Sequence, residues 1–206
     1  PPPQVLELAG FHGHELKEAG FRGRELKECG VKPGLYFTLA ELKHEGFSLK
    51  ELVEEGFTLR ELKAVFTIGE LRRSNIMVKE LLKIEVTVKE LREGGFKVSE
   101  LLEVGLSVAE LKKGGYTCEM LRGAGLGPRA LVDGGFVIKE LRKAGFTPLQ
   151  MKEAAFNVAE LKDGGYDVID LKNAKFTPHE MKEGGFTAEA LRKGGFSAEE
   201  LISVGF

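Results

Sequence analysis

Large apolar residues recur along this chain at a strict interval. From Phe66 to Phe206 every tenth residue is Phe, Tyr, Leu, Ile or Val, and five residues beyond each comes Leu or Met, from Leu71 to Leu201. The polar positions keep the same period. Counted from the aromatic, the unit reads Phe, Ser/Thr, x, x, Glu, Leu, Lys/Arg, x, Gly/Ala, Gly. Self-similarity of this kind decides the fold before any single residue does. Upstream, the register runs through Phe11, Phe21 and Val31, then Phe37, Phe47 and Phe57. It breaks twice. Six extra residues, Val31 to Tyr36, precede Phe37, and one residue is missing between Phe57 and Phe66.

Each residue class in the unit has a place in one short helix. In Phe57 to Lys63, Thr58 reads as the N-cap and Glu61, three residues on, completes a capping box. The same pairing recurs at Thr38/Glu41, Ser48/Glu51, Thr67/Glu70, Thr87/Glu90, Ser107/Glu110, Thr177/Glu180 and Ser197/Glu200. Phe57 and Leu62 are spaced as a hydrophobic staple. Lys63 falls in the last turn, near the negative end of the helix dipole. The closing Gly suits the left-handed conformation that stops a helix. The prediction is a helix of six or seven residues followed by a tight turn. A β-solenoid would instead show period-two alternation and β-branched residues, whereas Glu-Leu-Lys runs are helix formers.

A helix this short is unstable alone, so the repeats must stack on one another. The predicted fold is all-α: an elongated solenoid or superhelix of single short capped helices, one per ten-residue repeat. Helices alternating between two layers about 9 Å apart would advance the chain about 4–5 Å per repeat, for a rod of roughly 80–100 Å. The chain divides into a short N-terminal array (1–30), an insertion or kink carrying the Pro33-Gly34 turn (31–36), and the main array (37–206).

Composition narrows the function. Gly is abundant, 27 of 206 residues, and the formal net charge of −2 offers no bulk attraction to nucleic acid or anionic membranes. No apolar run approaches the ~18 residues of a membrane span, which leaves room for peripheral association only. Cys29 and Cys118 occupy different repeat positions. An elongated array would hold them too far apart to pair, and unpaired thiols favour an intracellular reducing compartment, cytoplasm or plastid. A start on Pro1-Pro2-Pro3 and a stop on Phe206, a repeat-defining position, read as a processed or partial stretch of a longer array.

The run Gly-Phe-Thr-Leu-Arg-Glu-Leu-Lys at 56–63 is similar to a helix entry in MerR-type regulators, where it occurs once within a winged DNA-binding domain. In tandem form it resembles the decapeptide repeat proteins (Gly-Phe-Ser/Thr-x-x-Glu-Leu-Lys) of algae, other protists and their large viruses. The resemblance covers nearly the whole chain. It implies a repeat scaffold without an activity of its own, in an algal setting where such an array would link subunits of an organellar assembly such as photosystem and antenna.

Candidate chemistry is sparse. His12 and His14 form a His-x-His pair, His44 and His179 stand apart, and no further ligands gather near them, so no metal is expected. The repeated Glu is explained by capping rather than calcium binding, and the Ser/Thr column by capping rather than a flat ice-binding face. The Gly pairs are helix stops without the Lys-Ser/Thr of a phosphate loop. No nucleophile–base set rises above the repeat, so neither catalysis nor a cofactor is expected. The alternative function is a nucleic-acid-binding helical repeat. However, the variable column Arg60, Gly69, Lys79, Lys89, Ser99, Ala109 and Glu119 mixes signs and lacks a stacking aromatic series.

Departures from consensus mark candidate contact points. The Lys/Arg after the core Leu becomes Val53, Leu82, Leu102, Val132 and Ile202. Leu82 and Leu102, two repeats apart, are expected to be exposed on a shared face. Met77 lies in an apolar stretch, Ile76 to Val88, where Ser74-Asn75 and Ile84-Glu85 replace the stop glycines and longer helices are expected. Tyr36 in the insertion is a further anchor. The function expected is a non-catalytic structural scaffold or linker that binds and spaces the protein subunits of a larger assembly, with end-to-end self-association as a second kind of contact.

Overall fold

The computed structural model describes residues 12–206; Phe11, Pro1-Pro2-Pro3 and the first repeat of the N-terminal array lie outside the described residues. Among the described residues there are nineteen α-helices, one 3-10 turn and no strand. Every α-helix has six residues except Leu59–Val65, which has seven. The chain falls into two compact units, the first ending at Phe96 and the second running from Lys97 to Phe206.

The predicted cap starts the helices. Thr58 Oγ1 accepts from the Glu61 N–H at 3.3 Å while Glu61 Oε2 accepts from the Thr58 N–H at 2.7 Å. All eight predicted boxes form. Where the cap residue has no acceptor, half of the box survives: Met77, Lys97 and Val137 still donate their backbone N–H to the third-position Glu at 2.9, 2.6 and 2.8 Å.

The exit is equally uniform. After Val108–Lys113, Gly115 (φ +83°) donates to the Lys112 carbonyl at 2.9 Å and Tyr116 to the Leu111 carbonyl at 3.0 Å. This crossed pair is the Schellman stop, and it sets Tyr116 against Leu111. The core Leu or Met of each repeat is almost fully buried from Leu16 to Met181. Loss of the glycine does not lengthen the helices at 74–75 and 84–85, contrary to expectation. Ile68–Arg73 and Val78–Lys83 keep six residues, and Asn75 (φ +62°) and Glu85 (φ +60°) take the left-handed conformation themselves. Ala155 and Lys175 do the same.

The two register breaks have local explanations. At Phe57 to Phe66 the missing residue is the left-handed one: Phe66 is extended (φ −106°, ψ 142°) and donates directly to the Leu62 carbonyl. The six residues from Val31 hold one repeat's place. Val31 and Pro33 are buried as a repeat's large residue and first helical residue would be, and a single 3-10 turn, Pro33–Leu35, replaces the helix.

Most of the strong helix contacts are with the second helix along; consecutive helices meet directly at Pro128–Asp133 with Ile138–Lys143 and at Ala188–Lys193 with Ala198–Ser203. In the first unit Leu39–His44 packs on Leu59–Val65, and Ile68–Arg73 on Val88–Glu93. In the second, Val108–Lys113 packs on Pro128–Asp133, Ile138–Lys143 on Val158–Asp163, and Pro148–Glu153 on Val168–Asn173. Consecutive helices therefore lie in two rows within each unit. The packing is close enough to select glycine. A Cβ on Gly134 would sit 2.2 Å from Val108 Cγ1, and one on Gly164 2.2 Å from Ile138 Cγ2. Where the first helical residue 26 positions earlier is Cys118, Pro128 or Pro148, an alanine fits: Ala144, Ala154 and Ala174. Ala124 and Val104, which follow Val98 and Val78 at the same spacing, depart from this pattern.

Two outcomes follow. A left-handed L-residue costs roughly 1–2 kcal/mol over glycine, so Lys175→Gly is expected to raise stability by about 1 kcal/mol in urea unfolding; no gain would contradict the left-handed turn there. The cap carboxylates respond to acid. The Lys17 ammonium, then the Thr38 cap, holds Glu41 down at about 2, and the Ser48 backbone N–H and hydroxyl hold Glu51 at about 2. A carboxylate lowered on folding stabilises above its unfolded value and loses that contribution as pH falls through the folded one. Urea midpoints measured from pH 5 to pH 2 should fall over that window, and less steeply for Glu51→Gln.

Candidate interaction surface

The polar geometry of the array is concentrated at the residue after the core Leu. Its cation reaches the turn that follows the second helix along. Lys112 Nζ donates to the Gly135 carbonyl at 2.7 Å, meets Glu140 Oε2 at 2.9 Å and lies 4.4 Å from the Phe136 ring centroid. Lys152 repeats this with the Lys175 carbonyl at 2.6 Å, Glu180 at 3.6 Å and Phe176 at 4.3 Å. Lys172 donates to the Gly195 carbonyl and covers Phe196. Each clamp supplies a donor to a carbonyl that the helix end leaves short of partners. It also sets a cation on a ring face, and Lys112 and Lys152 join the cap Glu of the following helix as well. In the first unit Lys17 does the same across the shortened repeat, reaching the Tyr36 carbonyl at 3.1 Å, Glu41 at 2.9 Å and the Phe37 ring at 4.6 Å.

The candidate residues occupy different situations. Met77 (69% exposed) and Val53 (52%) project into solvent, Met77 from a cap position and Val53 from a clamp position. Leu82 and Leu102 are half-buried rather than exposed, Leu82 in the first unit and Leu102 in the second. Val132 is half-buried, and Arg129 of the same helix supplies the missing clamp, donating to the Ala154 and Ala155 carbonyls at 3.0 Å with its guanidinium 3.9 Å from the Phe156 centroid. Tyr36 is half-buried at the end of the 3-10 turn, beside Leu35, which is exposed. Ile202 is exposed on the final helix, Ala198–Ser203.

One apolar pair escaped the sequence reading. Leu149 (51% exposed) and Ile169 (56%) occupy the second position of Pro148–Glu153 and Val168–Asn173, helices that pack directly on each other. Both helices end in a non-glycine left-handed residue, Ala155 and Lys175. The spacing of two repeats was the available signal, and the second helical position usually carries a charged or small residue. A shallow groove in the second unit is lined by Phe156, Asn157, Phe176 and Glu180, largely the material of the clamps.

Ionisable groups elsewhere serve packing. Both cysteines are free thiols; Cys118 is buried, and burial pushes its thiol up to about 11. Tyr166 is buried and donates to the Phe146 carbonyl at 2.6 Å, and the same burial pushes its hydroxyl to about 12. Among the described residues no cluster of His, Cys, Asp and Glu has metal-site geometry, and no helix is long and apolar enough to cross a membrane.

The family model described as a decapeptide repeat region matches four overlapping stretches, residues 34–97, 65–138, 85–158 and 149–206. No curated protein matches the chain.

The clamp geometry has a chemical readout. Carbodiimide joins amines to carboxylates in contact, so peptide mapping should find Lys112 linked to Glu140 and Lys152 to Glu180, pairs 28 residues apart. Links confined to consecutive repeats would overturn the two-row arrangement.

Proposed function

The chain belongs to the decapeptide repeat family, and from that premise we propose that it is a non-catalytic scaffold that binds and spaces protein subunits in a larger assembly. The observation that carries this reading is the placement of Leu149 and Ile169, large apolar side chains held in solvent on two helices packed together. Exposed apolar groups that gather, rather than scatter singly, are the usual mark of a protein contact. Met77, Val53 and Leu35 add further points on the first unit. The repeated polar groups are spent on caps and clamps, which leaves the departures from consensus as the variable surface. An algal organellar setting, a reducing compartment and end-to-end association with a second copy complete the proposal; the first rests on the family resemblance.

The test is cross-linking and mass spectrometry on gently purified native material, repeated with Leu149→Asp/Ile169→Asp. The expected result is a defined set of subunits linked near residues 149–169, surviving moderate salt and at least tenfold depleted in the double variant at unchanged helix content. Recovery with nucleic acid, in a complex that dissociates steeply with salt, would replace the scaffold with a nucleic-acid reader.

A further inference from the structure

The leucine column, the caps and the left-handed turns are alike in nearly every repeat. None of them distinguishes the correct stacking of a helix from one displaced by a repeat. One pair of positions varies in concert. We infer that the residue after the core Leu and the large residue 24 positions on form a matched pair that fixes which helices stack. In the second unit, cation and ring meet at this spacing in Lys112/Phe136, Lys152/Phe176 and Arg142/Tyr166, with centroid distances of 4.4, 4.3 and 5.6 Å.

Where the large residue is aliphatic, the cation is replaced as well, except opposite Val86. Leu102 stands 24 residues before Leu126, and both are half-buried. In the first unit Val53 stands 23 residues before Ile76, the count falling by one across the repeat that lacks a residue. Where a ring is present without its cation, as at Phe156 opposite Val132, the guanidinium of Arg129 arrives from the previous turn of the same helix. Lys63, opposite Val86, is a mixed pair: it loses the ring but keeps the Glu85 carbonyl at 3.5 Å and Glu90 at 3.2 Å.

The matching opposes slippage for a simple reason. Displaced by one repeat in one direction, Lys112 would lie over Leu126 and lose its ring; displaced in the other, Phe136 would face Leu102 and the Gly135 carbonyl would lose its donor. Each displaced contact strands a polar group or removes a favourable one, so discrimination comes from penalties on the wrong pairing. Aliphatic pairs interrupt an otherwise uniform series and number the helices.

A double-mutant cycle on the full chain tests this. Leu102→Lys and Leu126→Phe each introduce the residue that most other repeats carry, so the variants fold. In urea unfolding followed by circular dichroism, the midpoint of Leu102→Lys/Leu126→Phe is expected to exceed the value given by adding the two single shifts. The same Leu102→Lys combined with Leu106→Phe, which is out of register, is expected to be additive. Additivity in both cycles, or equal coupling in both, would overturn the matched pair.

Discussion

Where the last carbonyls of each helix find their donors governs this protein. A helix of six residues is mostly ends, and an α-helix leaves four carbonyls without partners at its C-terminus. Here two are met by the crossed turn, as in Gly115 and Tyr116 bonding back to Lys112 and Leu111. Another carbonyl of the turn is met from outside, by a cation two helices away, as Lys112 meets Gly135. The first donor set closes the local unit, and the second makes units cooperate. Helices too short to persist alone are therefore bound into an array by the same groups that end them.

Much of the local fold was legible in the sequence. Thr58 and Glu61 form the box that their spacing implies, Leu62 is fully buried, and the second glycine of each pair takes the left-handed conformation. These features depend on residues within one repeat, and a repeat displays them many times. Features that join repeats were harder to read. Lys63 fits a dipole argument within its own helix, yet its structural partners are Glu85 and Glu90, on turns that periodicity cannot connect. The first glycine of a pair also reads as a stop, although Gly134 has ordinary backbone geometry and is small because Val108 leaves no room for a Cβ. At 74–75 and 84–85 the stop signal survives without glycine because the crossed hydrogen bonds tolerate a strained Asn or Glu.

The candidate surface was legible in part for the same reason. Val53 and Met77 stand out as apolar residues at polar positions and are exposed. Leu82 and Leu102 share that signature and the clamp position of Val53 but are half-buried. Leu149 and Ile169 needed a comparison along the second helical position, where small and charged residues alternate without rule.

Packing between every second helix has a topological consequence. Covalent neighbours are in different rows, so the contacts that hold a helix reach over the peptide links on either side of it. Hydrolysis of a single turn, for instance at Gly134-Gly135 in the second unit, would cut the covalent strand while Cys118–Gly123 still packs on Ile138–Lys143 across the break. The two fragments would stay joined at that junction by helices that overlap it from either side. Continuity at such a turn is carried by side chains as well as by the backbone, which keeps the helices in order.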